Sequence, residues 1–265
     1  MRGGLREGVV GTIVIVALDS STDVAGVALL RDGLPIADYS WRAAGRHTAQ
    51  LLPALDMLCH DTGSPPDSWS AVAVAIGPGS FNGIRSGMAL AMGLAMSRSV
   101  PLVGIGGLDA LAYAAYLERG GGAPIVTLLP AGRSELYCAT YRPPSSAQSG
   151  LWSAAARLAE PALTSLPDLL TALHALAQGS GGPITIGGVL PPDAAASLSA
   201  ALGDRVVLPL DGGLPRRAAA LGLLAWQYLQ AGGEDQLLTV APLYLRRVTV
   251  TQSRRPLAST VAEGV

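Results

Sequence analysis

The sequence predicts an α/β protein built on mixed sheets with helices on both faces, and three observations predict it. A β-branched run, "GTIVIVALDSST" at 11–22, is followed directly by a hairpin signal at Asp32-Gly33. From 46 to 119, apolar segments of helical and strand character alternate. After the glycine-rich "GGGAP" at 120–124 a second alternation begins.

The run at 11–22 ends in Asp19, Ser20, Ser21 and Thr22, so it reads as a core strand closing in a polar turn. "VAGVALLRDGLPIADYSW" supplies two further strands, which makes three antiparallel strands in all. Between Arg46 and His60, Leu51, Leu55 and Leu58 recur at helical spacing, and Pro53 bends that helix or sits close to its start. "GSPPDS" ends it. "AVAVAI" is a short buried strand, Ser80 caps a helix from about Phe81 to Ser97, and "PLVGI" is another strand. "GLDALAYAAYLERG" closes as a helix with glycine beyond its end. Three strands with a hairpin, then helix, strand, helix, strand, helix, is the order of a ribonuclease-H-like unit.

The second half reads as a reduced copy. "IVTLLPAGRSELYCATY" gives a strand pair, "PPSSAQSG" an exposed loop, and "LPDLLTALHALA", "PITIGG" and "PPDAAASLSAAL" alternate helix, strand and helix. "PRRAAALGLLAWQYLQAGG" forms one long amphipathic helix. The domain expectation is a first lobe over 1–118, a second over 119–250 and a flexible tail over 251–265, with the helix at 215–231 packing back on the first lobe.

Composition excludes several chemistries. A formal net charge of -1 announces no broad field for nucleic acid. All 18 basic residues are arginine, which removes a P-loop lysine, a Schiff-base lysine and a lysine general base. Cys59 and Cys138 stand apart and read as reduced thiols. The apolar stretch Val9–Leu18 reads as a strand rather than a signal peptide, and no uncharged apolar run reaches the roughly 18 residues of a bilayer span, so the expected location is the cytoplasm, with no membrane contact.

"AIGPGSFNGIRSG" at 75–87 poses the central question. Gly77, Gly79 and Gly83 could open the backbone to a phosphate at a helix start, yet the spacing matches neither the dinucleotide fingerprint nor a Walker loop, and a structural strand-to-helix turn is the leading reading. The following helix carries Gly87, Ala91 and Ala95 every four residues beside Met88, Met92 and Met96, more apolar surface than one sheet covers. His47, His60 and His174 lack a histidine partner four residues away (Leu51 stands four beyond His47), so no paired-histidine metal site forms; His47 reads as a structural hydrogen-bonding group. Ser80 lacks nucleophile-elbow spacing, so no catalytic residue is assigned.

"ALDSST", "RHTAQLLPALD", "VAIGPGSFNGIRSGMALAMGLA", "PLVGIGGLDALA" and "PLYLRR" together resemble the bacterial TsaB family, also called YeaZ. Asn82, Ile84 and Pro130 depart from the family's usual Thr, Leu and Asp. Arg46, His47 and Arg85 lie in these stretches, and Arg133 and Tyr137 are retained in "PAGRSELY" at 130–137, all without an assigned role. The resemblance implies two ribonuclease-H-like lobes of the actin-like ATPase superfamily. It also implies a non-catalytic partner of TsaD, the transferase that makes threonylcarbamoyladenosine in tRNA, with TsaE joining and tRNA reached through the complex. Contact with TsaD, or with a second copy in a homodimer, falls to helices 46–60 and 80–97, for which Leu51, Leu55, Leu58, Gly87, Met88, Ala91, Met92 and Ala95 are the candidate residues. No cofactor is expected on the chain alone. ATP or ADP is expected only at a complex interface, with residual contact assigned to Asp19, Ser20, Gly77, Gly79 and Ser80. Two competing readings are an actin-like kinase or ATPase using Asp19 and the turn, and a self-associating structural protein.

Overall fold

The computed structural model describes residues 12–132, 134–143, 156–209 and 217–245. Arg133, most of the expected loop at 143–150, the first residues of the last helix, Arg246, Arg247 and the expected tail lie outside them. The first half runs β1 (Val14–Asp19), β2 (Val24–Arg31), β3 (Leu34–Arg42), α1 (His47–Thr62), β4 (Trp69–Ala75), α2 (Phe81–Arg98), β5 (Leu102–Ile105) and α3 (Gly107–Arg119). The second runs β6 (Ile125–Pro130), β7 (Glu135–Tyr141), β8 (Ala162–Ser165), α4 (Leu166–Gly179), β9 (Ile184–Gly188), α5 (Pro192–Leu202), β10 (Val206–Val207) and α6 (Arg217–Gln230). α1 runs unbroken through the exposed Pro53, which forfeits only the bond its N–H would have made one turn back.

The sheet orders are β3-β2-β1-β4-β5 and β8-β7-β6-β9-β10. In each, the first three strands are antiparallel and the fourth and fifth run parallel to the first. The two halves therefore repeat one mixed topology, the strand order of a ribonuclease-H-like unit. β8 has no counterpart among the expected strands, because four half-exposed residues carry no readable alternation.

The pleat of the first sheet sorts its side chains into two cores. Val14, Val16, Leu18, Val27, Leu29, Val72 and Val74 face α1 and α2. Ala17, Ala28, Ala71, Ala73 and Ala75 face α6 together with Ile15 and Leu30, so that face is mostly small side chains while the α1–α2 face is mostly branched ones. That small face lets α6 approach closely: a Cβ on Gly26 would stand 3.1 Å from the Ala218 Cβ, and one on Gly222 would overlap Leu30. α3 follows the first sheet in the chain but lies on the second, where a Cβ on Gly187 would stand 3.2 Å from the Ala115 Cβ. α4 and α5 cover that sheet's other face through Leu169, Leu173, Leu198 and Leu202. After α6 the chain returns to the first sheet's β5 edge: the Gln236 N–H donates to the Leu102 carbonyl at 2.9 Å, Asp235 Oδ1 accepts from the Leu102 N–H at 2.8 Å, and the Leu243 N–H donates to the Ile76 carbonyl at 2.8 Å. No helix among the described residues is long and apolar enough to cross a membrane.

Candidate interaction surface and the buried turn

The β1–β2 turn and the glycine-rich turn are packed into each other. Ser80 N–H donates to the Ser21 carbonyl at 2.7 Å, and the Ser20 hydroxyl donates to the Gly83 carbonyl at 2.8 Å. A Cβ on Gly79 would overlap the Ser21 carbonyl, one on Gly83 the Ser20 carbonyl, and one on Gly87 the Ser20 hydroxyl. The space those glycines create is filled by the chain's own turn. Ser80 caps α2 by accepting from the Gly83 N–H at 3.2 Å, and Gly77 accepts from the Gly107 N–H at 2.7 Å, which seats α3 beside the turn.

Asp19 is the acid that a nucleotide-bound cation would need, and it is committed elsewhere. It is 1% exposed; Oδ1 accepts from the Ser21 N–H and hydroxyl at 2.9 and 2.7 Å. Oδ2 lies 2.7 Å from Nε of Arg217, which is 2% exposed and whose Nη2 donates to the Val24 carbonyl at 3.0 Å. The pair is ionic rather than a directed hydrogen bond, since neither Asp19 Oδ2 nor Arg217 Nη1 completes one. A guanidinium thus sits across two hard oxygens where a cation would have to sit, and these residues do not fit a metal-bound nucleotide. That corrects the assignment of Asp19, Ser20, Gly77, Gly79 and Ser80 to nucleotide contact. A cavity of about 1040 Å³ opens instead between Leu111, Ala115 and Glu118 of α3, Thr185 and Gly187 of β9, and Ala195 of α5, and none of those five residues lines it.

The helices α1 and α2 also correct their assigned residues. Leu51, Leu55, Leu58, Gly87, Met88, Ala91 and Ala95 are buried against the sheet, and Met92 is half-buried. Apolar residues at helical spacing hold a helix to its own sheet first, so the periodic stripe points inward. What faces outward is a second set. On α2, Phe81, Arg85, Ala89, Met92 and Met96 fall within about 80° of one another around the helix at 100° per residue. Met96 is 64% exposed, and neighbouring α1 shows Leu52 at 51% and Met57 at 43%. On α2 this outer face is apolar but for Arg85 and is dominated by large side chains.

Residues 41–149 match the family described as TsaD, tRNA N6-adenosine threonylcarbamoyltransferase. Two curated relatives are the tRNA threonylcarbamoyladenosine biosynthesis proteins TsaB of Escherichia coli (strain K12), 30% identical over 52% of this chain and 58% of that one, and of Bacillus subtilis (strain 168), 34% identical over 49% and 56%. The solved structure of YeaZ from Pseudomonas aeruginosa shares the fold, with a TM-score of 0.69 at 23% identity over 88% of this chain and 100% of that one. Over about half its length the chain is similar to proteins of the TsaB (YeaZ) family. Its match spans little more than half the length of those curated relatives. A tRNA N6-adenosine threonylcarbamoyltransferase of Nitratidesulfovibrio vulgaris (strain DP4) is also similar, 37% identical over 45% of this chain and 37% of that one.

The matched stretch 41–149 holds α1, the glycine-rich turn and α2, and excludes both Asp19 and Arg217. The unassigned motif residues separate. His47 Nε2–H donates to the Thr22 carbonyl at 2.7 Å and pins the same turn, while Arg46 is exposed at the start of α1. Tyr137 is buried in the core between the two sheets. Arg85 is exposed on the outer stripe. His60 stands beside Asp61 at 3.3 Å and His174 reaches the Leu170 carbonyl at 3.0 Å, so the three histidines are spread over three places; no group of three or more metal-ligating side chains occurs among the described residues. Sequence reasoning missed Arg217 altogether. Its signal was a lone charge on the apolar face of an alanine-rich helix, a position that needs a buried counter-charge.

Proposed function

We propose that this chain is a non-catalytic binding subunit of the tRNA threonylcarbamoyladenosine machinery, which docks a TsaD enzyme on the outer stripe of α1 and α2. The observation that carries it is the pairing of buried Asp19 with Arg217: the turn that could serve chemistry is consumed inside the fold, while Leu52, Met57 and Met96 stand exposed on α1 and α2. TsaE joins the assembly, tRNA is reached through TsaD, and ATP or ADP belongs to the shared interface. The same face serves a homodimer when TsaD is absent. A kinase or ATPase reading would require Asp19 free to meet a cation, and the buried guanidinium opposes it.

The test is threonylcarbamoyladenosine formation on tRNA with purified TsaD and TsaE, with each component omitted in turn. Turnover is expected only when this chain and TsaD are both present. Transfer by this chain alone would overturn the proposal.

A further inference from the structure

The N-terminal end of the α2 stripe differs from the rest of it. Phe81, the sole phenylalanine in the chain, is 36% exposed, and the Arg85 guanidinium lies over its ring at 4.1 Å from the centroid. Tyr244, 37% exposed, is brought there from 159 residues away: its hydroxyl accepts from Arg85 Nε at 3.2 Å and its ring lies 5.2 Å from that of Phe81. The segment carrying Tyr244 is pinned by Leu243 N–H on the Ile76 carbonyl, so the tyrosine is held rather than free. Nε is thereby occupied, and among the described residues neither Nη of Arg85 has a partner.

We propose that Phe81, Arg85 and Tyr244 form the selectivity anchor of the docking face, a preformed aromatic–guanidinium knob that takes a carboxylate set at the rim of an apolar patch on the partner protein. This rests on the α1–α2 docking reading and names the chemistry the partner must bring. Three features carry it. The knob continues the same helical stripe as Ala89, Met92 and Met96, so one surface can cover all five positions. Its two open Nη groups form a planar fork that a carboxylate meets with two parallel bonds. Its stacking and its bond to Tyr244 fix the fork before binding, which lowers the ordering cost and gives it the composition of an interface hot spot. A nucleic-acid partner fits less well: the stripe carries one cation over its length, and the chain's formal net charge is -1.

The experiment measures affinity for purified TsaD at low and high salt, alongside tRNA retention, for the wild-type chain, Arg85→Ala, Arg85→Lys, Tyr244→Phe and Met96→Glu, each checked for an unchanged melting curve. Arg85→Ala is expected to weaken TsaD binding about tenfold or more and to flatten its salt dependence. Arg85→Lys should fail to restore it, and Tyr244→Phe should lose a smaller part by releasing the fork. If Met96→Glu weakens binding while Arg85→Ala binds as wild type, the anchor is overturned and the docking face stands. If neither weakens it, the docking reading falls and takes the anchor with it. Loss of tRNA retention by Arg85→Ala with TsaD affinity unchanged would overturn the anchor in favour of nucleic acid.

Discussion

Arg217 and Asp19 stand 198 positions apart in sequence and 2.7 Å apart in space, so neither residue's role is contained in its own segment. Removing one partner strands the other charge without water. Arg217→Met is expected to cost about 3–5 kcal/mol in urea unfolding, and adding Asp19→Asn should recover a large part of that, because a neutral amide no longer needs the guanidinium. Additive losses would argue that the two do not act as a pair. Asp19 was legible as a candidate from its place after the first strand; its partner was not, since a local pattern cannot show which helix will cover a turn. Cys138 offers a pH test at the same scale. Burial pushes its thiol up to about 11 from 9.0, so the unfolded chain ionises first, and this contribution to stability is full below about 9 and falls as pH rises to about 11. Cys138→Ala should therefore lose less stability than the wild-type chain across that window; identical profiles would contradict the buried-thiol account.

At the scale of elements, the alternation in "AVAVA" made β4 a buried strand, and the structure adds that its valines and alanines serve different neighbours. The alanine face is fitted to α6. Ala73→Leu is expected to destabilise by about 1–3 kcal/mol through overpacking, measured by thermal unfolding, whereas Val72→Ile on the branched face should cost less. For α1 and α2 the sequence showed where helices would form and that they are rich in apolar residues, but not which face is outermost. The outer face of α2 carries almost no charge, so polarity could not mark it, and the inward stripe was the more regular of the two. Two neighbouring alanines separate the faces. Ala91→Arg buries a charge in the chain's own core and should abolish folding, while Ala89→Arg should leave the melting curve in place.

The whole molecule is two copies of one topology joined through α3 and α6, with a polar tie at the join. Asp109, in the first turn of α3, accepts from Arg157 Nη2 at 2.8 and 2.7 Å and from the Tyr141 hydroxyl at 2.8 Å, which fastens α3 to the far end of β7. Burial first, and then the Asp109 charge, push the Tyr141 phenol well above its usual range, so it remains a donor throughout ordinary pH. Asp109→Asn is expected to speed amide exchange in the first turn of α3 and around Arg157 while leaving the β1 strand protected; uniform exchange would show that this tie does not set the join. The repeat of helix and strand was readable in both halves. The crossing of α3 onto the second sheet and α6 onto the first was not, because helical periodicity states that a face is apolar without stating which sheet receives it. The claim on which the molecule's role turns is that its α1–α2 surface, and not its glycine-rich turn, meets the partner. Titration of Ala89→Arg against purified TsaD tests it most directly: the account predicts a folded protein with affinity about tenfold or more below the wild type, and wild-type affinity in that folded variant would contradict it.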